Sequence, residues 1–190
     1  MNIIVCEDDF GLDVFCFAKS AGWSVSGFLS PIEIKNFPAE YLGIMENYSP
    51  QAEDVFCIAI KDIKKRIAAA DFLKRKNAKF AKIIHPTCEV SRLSEISQGV
   101  IIAPFCLVSA GAEIGEFAII ESHSQIGHNA SAGAFSNIGS HCDLTGFCKV
   151  GDRCDIASGC ALIPKVKIAS DVKIKANSAI ISSKRKPGTF

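Results

Sequence analysis

The feature that most narrows what this chain can fold into is a period of six running through its second half. Counting in sixes from Val90 meets Ile96, Ile102, Val108, Ile114, Ile120, Ile126, Ala132, Ile138, Leu144, Val150, Ile156, Leu162, Ile168, Ile174 and Ile180. Fifteen of these sixteen positions are Ile, Leu or Val, Ala132 is the exception, and no insertion breaks the register. A helix repeats near 3.6 and an ordinary strand at 2.0, so neither produces a strict six. Two residues before each aliphatic stands a small side chain, from Cys88, Ser94 and Val100 through to Val172 and Ser178, and six of the nine cysteines fall at these positions. One large aliphatic per short strand suits a narrow axis, with a small residue, free cysteine included, filling the tighter space beside it. Gly115, Gly127, Gly133, Gly139 and Gly151 are expected to turn the corners. Three hexapeptides close one triangular coil, so residues 18 apart should stack at roughly 4.8 Å, giving about five coils and roughly 24 Å of height. Such a stack gains its core only from neighbouring coils and needs its ends covered. The expected fold of residues 86–190 is a left-handed parallel β-helix of hexapeptide repeats.

Residues 1–85 follow a different rule. Asn2 to Cys6 reads as a buried strand, Phe10 to Ala21 as an apolar helix and Trp23 to Leu29 as a second strand. The stretch 31–53 carries Pro31, Pro38 and Pro50 and reads as loop. Asp54 to Ile60 is a third strand. A helix follows, N-capped by Asp62, with Ile63, Ile67, Ala70 and Leu73 inside and Lys64, Lys65, Arg66, Lys74 and Arg75 outside. Phe80 to Ile84 makes a fourth strand, and Pro86 marks the join. Strands alternating with helices imply a small α/β unit, a βαβ arrangement with a parallel sheet. Its ligands would sit at the carboxyl ends of the strands.

Composition removes several classes of function. Twenty-one basic and 20 acidic side chains leave a formal charge of +1, without the basic excess of a nucleic-acid-binding surface. No run of about 18 apolar residues is present to span a membrane. The start leads into a strand without a charged leader or cleavage site, so the protein is read as cytoplasmic. An odd number of cysteines without an export signal argues against a disulfide scaffold, and the absence of any CxxC pair removes the strongest zinc spacing.

A βαβ unit followed by hexapeptides resembles the sialic-acid O-acetyltransferase/bacillosamine N-acetyltransferase family, and the likeness covers nearly the whole chain. The residues carrying it are Gly27-Phe28-Leu29, Ala59-Ile60-Lys61-Asp62, Ile84-His85-Pro86, Ile126-Gly127-His128-Asn129-Ala130, Asn137-Ile138 and Leu144-Thr145-Gly146. The resemblance implies a homotrimer that transfers an acetyl group from acetyl-coenzyme A to a nucleotide-linked amino-dideoxy sugar. It implies that the first unit holds the UDP- or dTDP-linked sugar and that acetyl-CoA lies along the prism in the groove between subunits. By the same likeness His128 is the general base with Asn129 beside it. Asn137, Gly146, Ser158, Lys165 and Ala176 would border CoA, and Asp9, Phe10, Lys61 and Glu121 would face the substrate. Where the family has a glycine-rich first loop, this chain has Cys6-Glu7-Asp8-Asp9-Phe10-Gly11. Ser30-Pro31 replaces an acidic pair, Lys61 a glycine, Asn129 a carboxylate and Asn137 a second histidine.

Acetyl transfer to an amine needs a neutral nucleophile, and histidine suits the removal of the ammonium proton. Main-chain N–H groups at the coil corners could steady the oxyanion. His123 and His141, 18 apart, are expected to stack on adjacent coils. Lys184-Arg185-Lys186 could meet a CoA phosphate or simply form a solvated end. Three other readings share the same prism. One is O-acetylation of the sugar, and another is a non-catalytic trimer that binds nucleotide sugars. The third is a histidine zinc site using His123 and His128, whose third ligand would fall at Thr87; no metal is expected in the favoured reading.

Overall fold

The computed structural model describes residues 1–184 and 186–190. The chain divides into two units, Met1–Ile83 and Ile84–Phe190.

The first unit contains β1 (Asn2–Cys6), α1 (Phe10–Ser20), β2 (Gly27–Leu29), β3 (Glu40–Tyr41), a single 3-10 turn (Met45–Asn47), β4 (Val55–Ala59), α2 (Ile63–Arg75) and β5 (Lys79–Phe80). The strands pair in parallel in the order β3-β2-β1-β4-β5. Strands buried on both faces read as continuous apolar runs. Accordingly Ile3, Ile4 and Val5 of β1 and Phe56, Cys57 and Ile58 of β4 are all at most 3% exposed. The chain winds outward from β1 to β3, then restarts at β4 on the other side of β1. That reversal opens a crevice at the carboxyl ends of the central strands. α2 starts where Asp62 accepts the Lys65 N–H at 2.9 Å, and Lys74 and Arg75 in its last turn complement the carbonyl end of its dipole.

Several expectations for this unit need correction. The second strand is confined to Gly27–Leu29, and the proline-rich stretch contributes β3 and the 3-10 turn. The expected fourth strand is two strands: β5 belongs to this sheet, whereas Ile83–Ile84 joins a sheet of the prism. Arg66 is not on the outer face of α2. It is 1% exposed, and its guanidinium donates to the carbonyls of Ile60 (2.6 Å) and Lys61 (3.1 Å). Those carbonyls leave β4 without strand partners, and a long cationic side chain turned back along the helix can reach both.

The second unit is a left-handed parallel β-helix with three faces. Face I consists of Glu89–Val90, Leu107–Val108, Gln125–Ile126, Asp143–Leu144, Ala161–Leu162 and Ala179–Ile180. Face II consists of Glu95–Ile96, Glu113–Ile114, Ser131–Ala132, Lys149–Val150 and Lys167–Ile168. Face III runs from Ile83–Ile84 through Ile101–Ile102, Ile119–Ile120, Asn137–Ile138, Asp155–Ile156 and Val172–Ile174 to Gly188–Thr189. The six- and seven-stranded faces make the stack about a coil taller than expected, because Ile84 extends the aliphatic ladder downward and Gly188–Thr189 adds an edge strand at the other end. Pairing steps by 18 residues, as in Leu107↔Gln125 and Gln125↔Asp143, except at the closing edge, where Val172 meets Gly188 and Lys173 meets Thr189, 16 residues on. From Ile102 to Ile180 each ladder residue is at most 5% exposed. Full burial of such a side chain contributes about 1.5–3 kcal/mol.

The small positions do more than fill space. The thiols of Cys106, Cys148, Cys154 and Cys160 each donate to the carbonyl 15 residues on, at 3.0–3.1 Å, as the hydroxyls of Ser124 and Ser136 do at 2.7 and 2.8 Å. The corners also differ from expectation. The backbone enters the left-handed region at every sixth residue from Gly99 to Asn177, with φ between 55° and 75°. Only Gly99, Gly111 and Gly159 of this set are glycines. Gly115, Gly127, Gly133, Gly139 and Gly151 lie two residues earlier in their corners, outside that region. Their missing β-carbons let adjacent coils meet: one added at Gly127 would lie 2.8 Å from the Leu144 carbonyl oxygen.

Candidate functional site

His128 lies on the I–II corner, between Gln125–Ile126 and Ser131–Ala132, and its side chain is exposed. Two main-chain bonds fix its corner to the coils on either side: Asn129 N–H donates to Ala110 O (3.0 Å) and Phe147 N–H to His128 O (2.9 Å). The imidazole rests over Gly146 in the next coil, where an added β-carbon would overlap Nε2. Phe147 meets it edge to face, with ring centroids 4.9 Å apart and planes at 87°. Asn129 Nδ2 stands 3.4 Å from His128 Nδ1, a long contact. Turning the amide by 180° exchanges its oxygen and nitrogen. With Oδ1 toward the ring, Nδ1 carries the proton and Nε2 is free to accept one.

Of the expected site residues, Gly146 and Lys165 share this corner with His128 and Asn129. Lys165 N–H donates to Gly146 O at 3.1 Å. Glu121, Ser158 and Ala176 lie instead on the III–I corner, with Asn137 on the adjoining strand of face III. Within one chain the set therefore forms two groups along the two edges of face I. Glu121 accepts the Ser140 hydroxyl at 3.1 Å. On the same corner Phe105, His123 and His141 form a column, with centroids 5.0 and 4.8 Å apart. They border a hollow of about 260 Å³ with Leu107, Gln125 and Asp143. This stack of three exposed rings extends the expected histidine pair. His123 and His128 stand at different corners. Among the described residues, no three His, Cys, Asp or Glu side chains gather as a metal site, and no helix is long and apolar enough to cross a membrane.

In the first unit, Lys61 Nζ lies 4.8 Å above the Phe10 ring, so these two expected substrate residues meet. Asp9 is at the N-terminus of α1 without a side-chain capping bond. None of the three lines the cavity found in this unit at the strand ends. That cavity, about 390 Å³, opens at the carboxyl ends of β1, β2 and β4 and is lined by Cys6, Glu7, Leu29, Ser30, Ile60 and, from α2, Ala68, Ala69 and Phe72, among others. Glu7 is bound there by Lys65 at 2.7 Å. Burial, with smaller contributions from Asp8 and Glu7, pushes the Cys6 thiol up to about 12, so it stays protonated. Ser30 is 1% exposed, and its hydroxyl has no hydrogen-bond partner among the described residues; leaving such a group unmatched costs about 1–3 kcal/mol. The sequence marked Ser30-Pro31 only as the replacement of an acidic pair after β2; that the hydroxyl is buried and unmatched could not be read from it. Of the basic end, Lys184 Nζ sits 4.9 Å over the Phe190 ring, and Arg185 lies outside the described residues.

The architecture defines a class: a hexapeptide β-helix preceded by a small α/β unit. No protein-family model matches the sequence, and no curated protein matches it. Solved structures do match in fold. PerB from Caulobacter crescentus, in complex with CoA and GDP-perosamine, superposes with a TM-score of 0.87 at 21% identity, covering 96% of this chain and 89% of that one. The acetyltransferase domain of PglB from Neisseria gonorrhoeae, in complex with acetyl coenzyme A, gives 0.89 at 19% identity over 99% and 94%. WeeI from Acinetobacter baumannii gives 0.86 at 16% over 100% and 96%. The chain shares the fold of these proteins over essentially its full length.

Proposed function

We propose that this chain is an acetyl-CoA-dependent N-acetyltransferase acting on a nucleotide-linked amino-dideoxy sugar, with His128 as the general base. The observation that carries this reading is the pose of His128: an exposed imidazole, seated over Gly146, with Nε2 able to accept a proton once Asn129 turns its oxygen to Nδ1. Fold neighbours crystallised with CoA and GDP-perosamine and with acetyl coenzyme A support the choice of donor and of acceptor class. The amine attacks the thioester carbonyl as His128 takes its proton, main-chain N–H groups at the corners steady the oxyanion, and its collapse breaks the C–S bond, the departing CoA thiolate taking the proton back from His128. Asn137, Gly146, Ser158, Lys165 and Ala176 border CoA in this reading. Because Gly146 and Lys165 lie on one edge of face I and Ser158 and Ala176 on the other, a groove using both needs a second copy of the chain as its wall, which supports a homotrimer. Asp9, Phe10, Lys61 and Glu121 face the UDP- or dTDP-linked sugar, and the enzyme works in the cytoplasm.

His128→Ala tests the assignment. It should keep the fold and acetyl-CoA binding while lowering turnover by about 10²–10⁴; undiminished CoA release from acetyl-CoA with an amino-sugar nucleotide would reject it. One observation favours a second reading, a trimer that binds nucleotide sugars without catalysis: the neighbour of His128 is an amide, which steadies an imidazolium less than a carboxylate. Asn129→Asp separates the two. An acetyltransferase should gain turnover or hold it, whereas a binding protein releases no CoA with either residue. O-acetylation is tested in the same assay with the hydroxyl analogue of the sugar.

A further inference from the structure

We propose that a second copy of the chain completes the site at His128, and that His123 of the partner subunit holds the ammonium group of the acceptor in front of it. This rests on the acetyltransferase reading above and adds to it a binding residue from the neighbouring copy and a preference for an amine over a hydroxyl.

Three observations carry the inference. The first is where the prism is apolar. The large apolar side chains exposed on its described coils, Leu93, Phe105, Leu107, Phe147, Ile163 and Ile181, all stand on face I or on one of its two edges. Faces II and III instead turn Glu95, Glu113, Lys149, Lys167, Asp155 and Lys173 outward. Apolar surface gathered in this way marks a contact with another molecule, whereas covering those charges would be costly. Copies set around one axis with face I inward cover both edges at once, each giving its I–II edge to one neighbour and its III–I edge to the other. The second observation is height. Rotation about an axis along the prism moves no residue up or down. His123 and His128 flank the same strand, Gln125–Ile126, at its two ends, so they share a coil. The rotation therefore sets His123 of the partner subunit across the groove from His128.

The third observation is chemical. The hollow beside His123 is bordered by Phe105, Leu107, Ser124, Gln125, His141 and Asp143, and no lysine or arginine is among its described lining. Glu121 stands on the same corner. Carboxylates and aromatic rings suit a cation and do not suit a phosphate. Phe105 and His141 cover the faces of the His123 ring, at 5.0 and 4.8 Å between centroids, so its nitrogens are left on the exposed edge. A ring nitrogen without a proton accepts a hydrogen bond, and an ammonium has three N–H groups to give. One goes to His123 of the partner subunit, and another supplies the proton that His128 removes. A hydroxyl has a single hydrogen and cannot serve both.

The test is a mixed assembly. His123→Phe keeps the column of rings but offers no acceptor. Alone it should remain a trimer by light scattering and bind acetyl-CoA as before, while kcat/KM for the amino-sugar nucleotide falls about tenfold to hundredfold, the value of a hydrogen bond to a charged group. Co-expressed with His128→Ala, it should regain turnover above that of either parent, since random assembly gives both histidines to about a quarter of the sites. Should His123→Phe fail to assemble, the smaller His123→Leu takes its place in the mixture. Undiminished turnover in His123→Phe would overturn the proposal, as would a mixture no more active than that variant alone. A hydroxyl analogue turned over as fast as the amine would overturn it too, and so would a monomeric natural chain. No CoA release by the natural chain with any amino-sugar nucleotide would overturn the acetyltransferase reading, and this proposal with it.

Discussion

The imidazole of His128 fills the space that a β-carbon on Gly146 would need, one coil further along the prism. The ring can lie flat against the corner only because residue 146 has no side chain. Gly146 is outside the left-handed region, so alanine suits its backbone, and the three atoms its β-carbon would meet first all belong to the ring. Gly146→Ala should leave the melting temperature nearly unchanged, swing the imidazole outward in a crystal structure, and lower kcat by about 10²-fold, as misplacement of a reacting group by an ångström can. Full turnover with a displaced ring would show that the pose is not used.

Contacts between coils make a second glycine irreplaceable for another reason. A β-carbon at Gly133 would run into the carbonyl of Gly151, main chain that cannot move without parting two coils. Gly133→Ala should therefore cost about 1–3 kcal/mol in urea unfolding, although its φ lies outside the left-handed region. A neutral result would mean that the stack can open locally.

Asp54 should govern the pH dependence of stability in the first unit. It is 2% exposed. Burial pulls its carboxyl up, but the N-terminal ammonium, the Gln51 N–H and the Tyr48 hydroxyl, each at 2.8 Å, outweigh that and hold it below the usual carboxylate range. With the folded value depressed, the unfolded chain binds more protons as pH falls. The contribution is thus present above the unfolded value of about 4 and is lost as pH drops through the folded one. Burial, then the bond to Asp54, pushes Tyr48 up to about 12. Its contribution is full below about pH 10 and declines above it. Asp54→Asn should lower stability at neutral pH by about 1.5–3 kcal/mol and flatten the acid limb, read from urea midpoints across pH; an unchanged limb would assign acid sensitivity to other carboxylates.

Thiol reactivity should separate the nine cysteines. Cys16 is exposed, Cys88 half-buried with its S–H on Ala103 O at 3.1 Å, and the other seven are buried. Burial pushes Cys142 up to about 11 and holds Cys6 near 12, so neither supplies thiolate at pH 8. A disulfide reagent should modify Cys16 fast, Cys88 slowly and the rest only after unfolding. Rapid loss of Cys148 or Cys154 in mapped peptides would contradict the closed ladder.

The prism was legible in the sequence because its core is a single line of side chains: each Ile, Leu or Val of the ladder answers to the axis and to nothing else. The corners were not. The glycines that stand out are needed for coil-to-coil contact, whereas the left-handed positions carry Phe105, His123, Asn129, Arg153, Lys165 and Asp171, which share no composition. Arg66 looked like one more outward cation, since spacing alone does not reveal two strand-end carbonyls within its reach. The corner proposed for catalysis was named from the sequence at His128 and Asn129, by resemblance and not by the ladder. The division of the remaining site residues between two edges could have been read from remainders after division by 18, which set 121, 158 and 176 apart from 128, 146 and 165.

The stacking rule also sets how such a molecule can change length. Because pairing joins residues 18 apart, an added or deleted segment of 18 returns every later residue to its own edge. A segment of six turns everything after it by one third of a revolution. Removing one hexapeptide between Asn129 and Lys165 would carry Lys165 to a different edge while leaving the ladder of aliphatics intact. Drift in repeat number is thus harmless to the core yet ruinous to the alignment of the edges, so growth by whole turns is the only kind that spares both.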